Sequence, residues 1–105
     1  MKTIGNFEEF IKDNIVKVQN PDRSRAEFLA KEAENGYLFL QEMIDKIGIS
    51  EHNANDYVKY CYDILMELLR AKMLLEGYNS EGQGAHDAEV SYLRVLGFKE
   101  NDVQF

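Results

Sequence analysis

The sequence predicts an all-α fold, an up-and-down bundle of four main helices in a single domain over residues 1–105, on three observations. Helix formers dominate and breakers are scarce, with one Pro and seven Gly in 105 residues. Apolar residues recur at steps of three and four over long windows, the period of an amphipathic helix. The links between those windows are short, and short links make consecutive helices antiparallel neighbours. The 45% hydrophobic and 30% charged residues place the chain among globular domains. At this length roughly two-thirds of the unfolded surface is buried, enough for one core and not two.

The first helix is expected to begin at Asn6, an N-cap residue with Glu9 three positions on. Phe7, Phe10, Ile11, Ile15 and Val18 then share a face, and the helix should run to about Gln19. Asn20-Pro21 reads as the cap and first residue of a second, long helix reaching Lys46. Its stripe is Ala26, Leu29, Ala33, Tyr37, Leu40, Ile44 and Ile47, and Gly48 stands where a C-terminal cap belongs. Gly36 interrupts this helix as either a kink or a close helix contact.

The third helix is predicted over about Asp56 to Glu76. Tyr57, Val58, Cys61, Ile64, Leu65, Leu68, Leu69, Met73 and Leu75 cover more than one stripe, so it reads as the central helix, packed on several sides. Lys59, Asp63, Glu67 and Arg70 form a single polar ridge on it, which is either solvated or lines a groove or dimer interface. Gly77 should end this helix. A fourth begins near Gly84, carries Val90, Tyr92, Leu93 and Leu96, and stops at Gly97. The tail from Phe98 to Phe105 looks like a link and the start of another amphipathic helix, so either the chain is a fragment or a partner covers the last face of the bundle.

Charge excludes some functions. Nineteen acidic against twelve basic residues give a formal charge of −7, and such a field repels polyanions. DNA is not expected as a partner. The densest basic spot, Asp22-Arg23-Ser24-Arg25 near Lys17, is interrupted by acids and reads as a solvated helix start. One cysteine, Cys61, excludes an internal disulfide and a Cys-based zinc site. Set among Tyr57, Tyr60, Ile64 and Leu65, it is expected to be a buried structural thiol. Met1-Lys2-Thr3 opens no signal peptide, and no apolar run approaches the ~20 residues a membrane helix needs. A cytoplasmic protein is expected.

No enzyme motif survives inspection, so no catalytic residue and no cofactor are expected. His86 falls in the first turn of the fourth helix, where the helix N-terminus favours a neutral imidazole, a base, a ligand or a clamp on the preceding loop. Position alone favours the clamp. His86 and Glu89 share a face, but the Glu-x-x-His order of di-metal bundles is reversed and occurs once, while His52 has no partner at ligand spacing; no metal is expected. Ser80 and His86 lack a third, orienting group, and Gly82 and Gly84 lack the strand and the Lys-Ser/Thr of a phosphate loop. A pocket between helices that takes a small ligand or nucleotide would use Arg70, Tyr78, Ser80 and His86.

The run from Tyr62 to Ala71, then Glu76-Gly77-Tyr78-Asn79-Ser80, Ala85-His86 and Tyr92-Leu93, resembles small helical proteins of the HEPN-like superfamily, chiefly archaeal. In that group a long helix ends in a Gly-Tyr-Lys-Ser type turn and a His opens the next helix. Ile15-Val16-Lys17 and the segment from Arg25 to Ala30 are consistent with it. The resemblance spans most of the chain, with about twenty residues carrying its specific part. It implies a four- or five-helix bundle that commonly dimerises and, in many members, a metal-independent ribonuclease of toxin–antitoxin or defence systems. That activity needs an Arg followed by a polar residue, with a His four to six residues after the Arg. Here Arg70 and His86 are sixteen apart, and the helix bearing an Arg-Asn pair that such members carry after "LGFKENDVQF" is missing.

The expectation is therefore a non-catalytic HEPN-like interaction or regulatory module. It should form a homodimer through an apolar helix face, and a protein partner is open. The alternatives are an inactive fragment of a HEPN ribonuclease, which alone would involve RNA, and a ligand- or nucleotide-binding bundle.

Overall fold

The computed structural model describes residues 5–98. The chain is mostly helical, as expected, in the order α1 (Phe7–Lys12), β1 (Val16–Val18), α2 (Arg23–Ile47), α3 (Ala54–Leu75), β2 (Tyr78–Ser80) and α4 (Ala85–Val95). Two elements are not helical. β1 and β2 pair antiparallel in a two-stranded ribbon, with Val16 opposite Ser80, Lys17 opposite Asn79 and Val18 opposite Tyr78. The expected further helix after Phe98 lies outside the described residues. The chain divides into two compact units, Asp22–Leu75 and the combination of Met1–Pro21 with Glu76–Phe105.

The first unit is a helical hairpin. Asp22, and not Asn20, caps α2: its carboxylate accepts from the Arg25 amide at 3.0 Å. Its own amide donates to the Leu74 carbonyl at 3.0 Å, fixing the start of α2 against the end of α3. The expected start at Pro21 is thus two residues early, because the side chain that satisfies the first-turn amide sets the boundary. Gly48, at φ +83°, ends α2 as expected, and its N–H donates to Ile44 O at 2.8 Å. The link is closed by Asn53, which accepts from the Ser50 amide and donates to Gly48 O, an oxygen that also accepts from the Tyr57 hydroxyl.

Two buried clusters join the helices. Ala26 packs with Ala71 and Leu74 near one end, and Ala33 and Leu40 with Tyr57 and Ile64 further along. Small residues on α2 let the backbones approach. α2 runs unbroken through Gly36, where a methyl group would stand 3.4 Å from Ile64 Cγ1. Gly36 marks a close helix contact.

α3 is buried on more than one side, as expected, but not on all of the apolar positions expected to be covered. It buries Tyr57, Ile64, Met66, Leu69, Ala71, Met73 and Leu74 but leaves Val58 67% and Leu65 62% exposed, together with Leu68 and Leu75. Cys61, expected to be buried, is exposed for the same reason: it falls between those residues on the outward stripe.

In the second unit, α1 is half its expected length. Asn14 adopts the left-handed conformation, φ +60°, and the amides of Asn14 and Ile15 turn back to Ile11 O and Phe10 O. This paired closure ends a helix, and Asn is one of the few residues that tolerates it. Ile15-Val16-Lys17-Val18, which follows, is rich in β-branched residues and suits a strand. At the other end Asn6 holds the cap position without a side-chain cap bond. α4 ends as expected at Gly97, φ +97°, with the same paired closure from Gly97 and Phe98 to Arg94 O and Leu93 O.

Candidate functional site

The stretch after α3 is built by the ribbon. Gly77, φ +87°, lies so close to the chain opposite that a Cβ there would meet Gln19 O at 2.6 Å. The Gln19 amide donates to Gly77 O at 2.8 Å and the Glu81 amide to Ile15 O at 3.0 Å, so bonds at both ends extend the ladder. Lys17 and Glu81 add an exposed ion pair at 3.3 Å. Tyr78 leaves β2 into an aromatic cluster with Phe7 and Tyr92, with ring centroids 4.9–5.8 Å apart. Edge-on and tilted contacts of this kind favour fixed ring positions. Tyr92 is 2% exposed, and burial first, then the negative charge of Glu76 and the neighbouring Tyr78, push its phenol above the ordinary tyrosine range.

Ser80 donates its hydroxyl to Oε2 of Glu89 at 2.8 Å, and Glu89 is only 4% exposed. The sequence suggested Glu89 only as a same-face partner of His86, not as a partner of Ser80. Ala88 to Tyr92 are buried in succession, and a carboxylate inside such a run must be hydrogen-bonded. Ser91 beside it donates to Ala88 O at 2.7 Å. Gly84, φ +90°, sits at the N-cap of α4 with no side-chain cap bond, and Ile15 fills the space where its Cβ would be.

Of the four residues expected to line a ligand pocket, Tyr78 and Ser80 lie on β2 and His86 in the first turn of α4, all in one unit. Arg70 lies on α3 in the other unit. His86 is exposed, whereas Tyr78 and Ser80 are engaged by the ring cluster and by Glu89. The Ser80 hydroxyl proton therefore points to a buried carboxylate and not to an imidazole. Chemically this is a lock between strand and helix, with the Ser80 hydroxyl already committed to Glu89.

The hairpin carries two grooves of opposite character. One, of about 400 Å³, is lined by Glu32, Asn35, Gly36, Tyr60, Asp63, Ile64 and Glu67. Two members of the α3 polar ridge, Asp63 and Glu67, thus line a groove, which is acidic. The other, of about 330 Å³, is lined by Arg23, Ala26, Glu27, Ala30, Ala71 and Leu75. It is apolar at its base and charged at its rim, and Leu75 links it to the exposed apolar residues of α3. Among the described residues no three His, Cys, Asp or Glu side chains are grouped to hold a metal ion. No described helix is long and apolar enough to cross a membrane.

Compared with known proteins, the chain matches no family model, no curated protein and no solved structure, so the arrangement above has to carry the functional reading.

Proposed function

We propose that this chain is a non-catalytic helical interaction module of HEPN-like type, its helices forming a bundle that works as a cytoplasmic homodimer. One observation carries the reading: large apolar side chains on α3, Val58 and Leu65 foremost, stand open to solvent in the single chain. Contiguous exposed apolar surface of this kind marks an interaction site in a soluble domain. Ser80 and Asn79 are hydrogen-bonded to Glu89 and Glu81, respectively, which supports a structural over a catalytic role for that turn. The formal charge of −7 argues against a nucleic-acid substrate.

Light scattering on the purified chain tests the reading, with a dimer expected. In parallel, the protein is incubated with RNA in EDTA, where no cleavage is expected and His86→Ala should change nothing. Cleavage that disappears with His86→Ala would overturn the proposal in favour of a ribonuclease. A thermal-shift panel of nucleotides and metabolites covers the remaining reading, and no stabilisation is expected from any of them.

A further inference from the structure

The exposed residues of α3 are not scattered. Val58, Cys61, Leu65, Leu68, Lys72 and Leu75 step by three, four, three, four and three, the spacing of a coiled-coil seam. All six are exposed, so α3 carries a complete seam that stands open among the described residues. The side chains that pack on α2, such as Tyr57, Ile64 and Ala71, lie on a neighbouring stripe.

We infer that α3 pairs along this seam with α3 of a second copy, antiparallel about a two-fold axis; the inference rests on the dimeric reading above and gives it a geometry. Charge selects both the occupant and the direction. In a chain with seven excess acids, most faces repel a second copy. The seam holds no carboxylate, because the acids in the body of α3, Asp56, Asp63 and Glu67, lie on the opposite side of the helix, two of them in the acidic groove. Its only charge is Lys72. A parallel pair would set Lys72 against Lys72, whereas the antiparallel pair sets Lys72 against Cys61.

In that register Val58 faces Leu75, Leu65 faces Leu68, and small Cys61 faces the long stem of Lys72, whose ammonium can reach out to water. Every contact repeats itself across the axis, as a two-fold interface requires. The size also suits. The 22 residues of α3 span about 33 Å, and two helices side by side are about 20 Å wide. The hairpin side therefore presents roughly 660 Å² in projection, near the ~800 Å² of accessible surface per partner in a standard interface. Its apolar centre along α3 and charged edge at Arg23 and Glu27 of α2 match the usual core and rim.

Cysteine crosslinking decides it. Across an antiparallel pair the two Cys61 residues are offset by eleven residues, about 16 Å, far beyond disulfide reach. Cys61 and position 72 of the partner are adjacent. Under mild oxidation the native chain should stay free of disulfide-linked dimer, Lys72→Cys should give it in high yield, and Lys72→Cys with Cys61→Ser should lose it. Leu65→Glu, at an exposed position, should keep the helical circular dichroism signal and turn the dimer to monomer by light scattering.

Self-crosslinking of the native chain through Cys61 would show a parallel pair and overturn the inference. So would a dimer that survives Leu65→Glu, or one in which Lys72→Cys fails to crosslink; either leaves the interaction-module reading standing with a different interface. A native chain that stays monomeric at every concentration overturns the pairing and the homodimer together. RNA cleavage in EDTA is the separate result that removes the module reading.

Discussion

Ser80 and Glu89 are joined by a 2.8 Å hydrogen bond that ties β2 to the first turns of α4, with the carboxylate almost fully buried. A buried carboxylate that loses a donor bears the desolvation cost of the unmade bond. Ser80→Ala is expected to destabilise the chain by about 1–3 kcal/mol. Ser91→Ala, which removes a neutral bond to Ala88 O, should cost about 0.5–1.5 kcal/mol. Urea unfolding midpoints of the two variants measure the difference, and equal losses would show that Glu89 does not depend on Ser80.

Gly77 and Gly82 both have positive φ but differ in what surrounds them. Gly82→Ala meets open space and should cost only the left-handed penalty, about 1–2 kcal/mol. Gly77→Ala drives a methyl group into the Gln19 carbonyl and should cost clearly more than ~2 kcal/mol, since backbone strain is added to the φ penalty. Thermal midpoints of the pair provide the comparison.

Gly36 lies inside α2, where Ala is favoured over Gly by about 0.5–1 kcal/mol. A methyl group there makes contact with Ile64 and the Tyr60 hydroxyl at 3.4–3.7 Å without overlap. Gly36→Ala should therefore be neutral to stabilising by up to ~1 kcal/mol. A marked loss of thermal stability would show that the helices cannot yield by a few tenths of an ångström.

Tyr92 gives the chain an alkaline dependence. Its folded phenol titrates above 10.0, mainly through burial. The neutral form is therefore favoured by folding, and its contribution is fully present below pH 10. As pH rises past that value the unfolded state ionises first, and stability is lost until the folded phenol also titrates. Urea midpoints should fall above pH 10 in the native chain, with a shallower fall in Tyr92→Phe.

The exposed thiol of Cys61 reports on association. At low protein concentration a thiol reagent should label it rapidly under native conditions. At high concentration labelling should slow, because the same residue enters the α3 seam of a dimer. A rate independent of concentration would place the interface elsewhere.

Much of the hairpin was legible in the sequence. Ala26, Ala33 and Leu40 recur every seven residues on α2 and are its buried residues, and Gly48 and Gly97 end helices as their positions suggest. The first helix was misjudged because Phe7, Phe10, Ile11, Ile15 and Val18 fit a helical period, while Asn14 was not weighed as a stop. A single residue in the left-handed conformation overrode the pattern and released Val16–Val18 to pair with Tyr78–Ser80. The candidate site was half legible: the turn holding Tyr78, Ser80 and His86 stood out, but Glu89, the residue that binds Ser80, did not. A bond between a strand and a helix nine residues apart leaves no periodic trace.

By itself the sequence determined the helical character, the long second and third helices and the acidic charge, because propensity, period and charge are sums over local residues. The tertiary structure alone decided which of α3's apolar residues are covered. Tyr57, Ile64 and Ala71 pack on α2, Met66, Leu69 and Met73 are buried on a further side, and the stripe from Val58 to Leu75 stays open; a list of apolar positions cannot say which neighbour each one meets. The same limit applies to Cys61, whose apolar surroundings in sequence suggested burial and whose place on the open stripe exposes it.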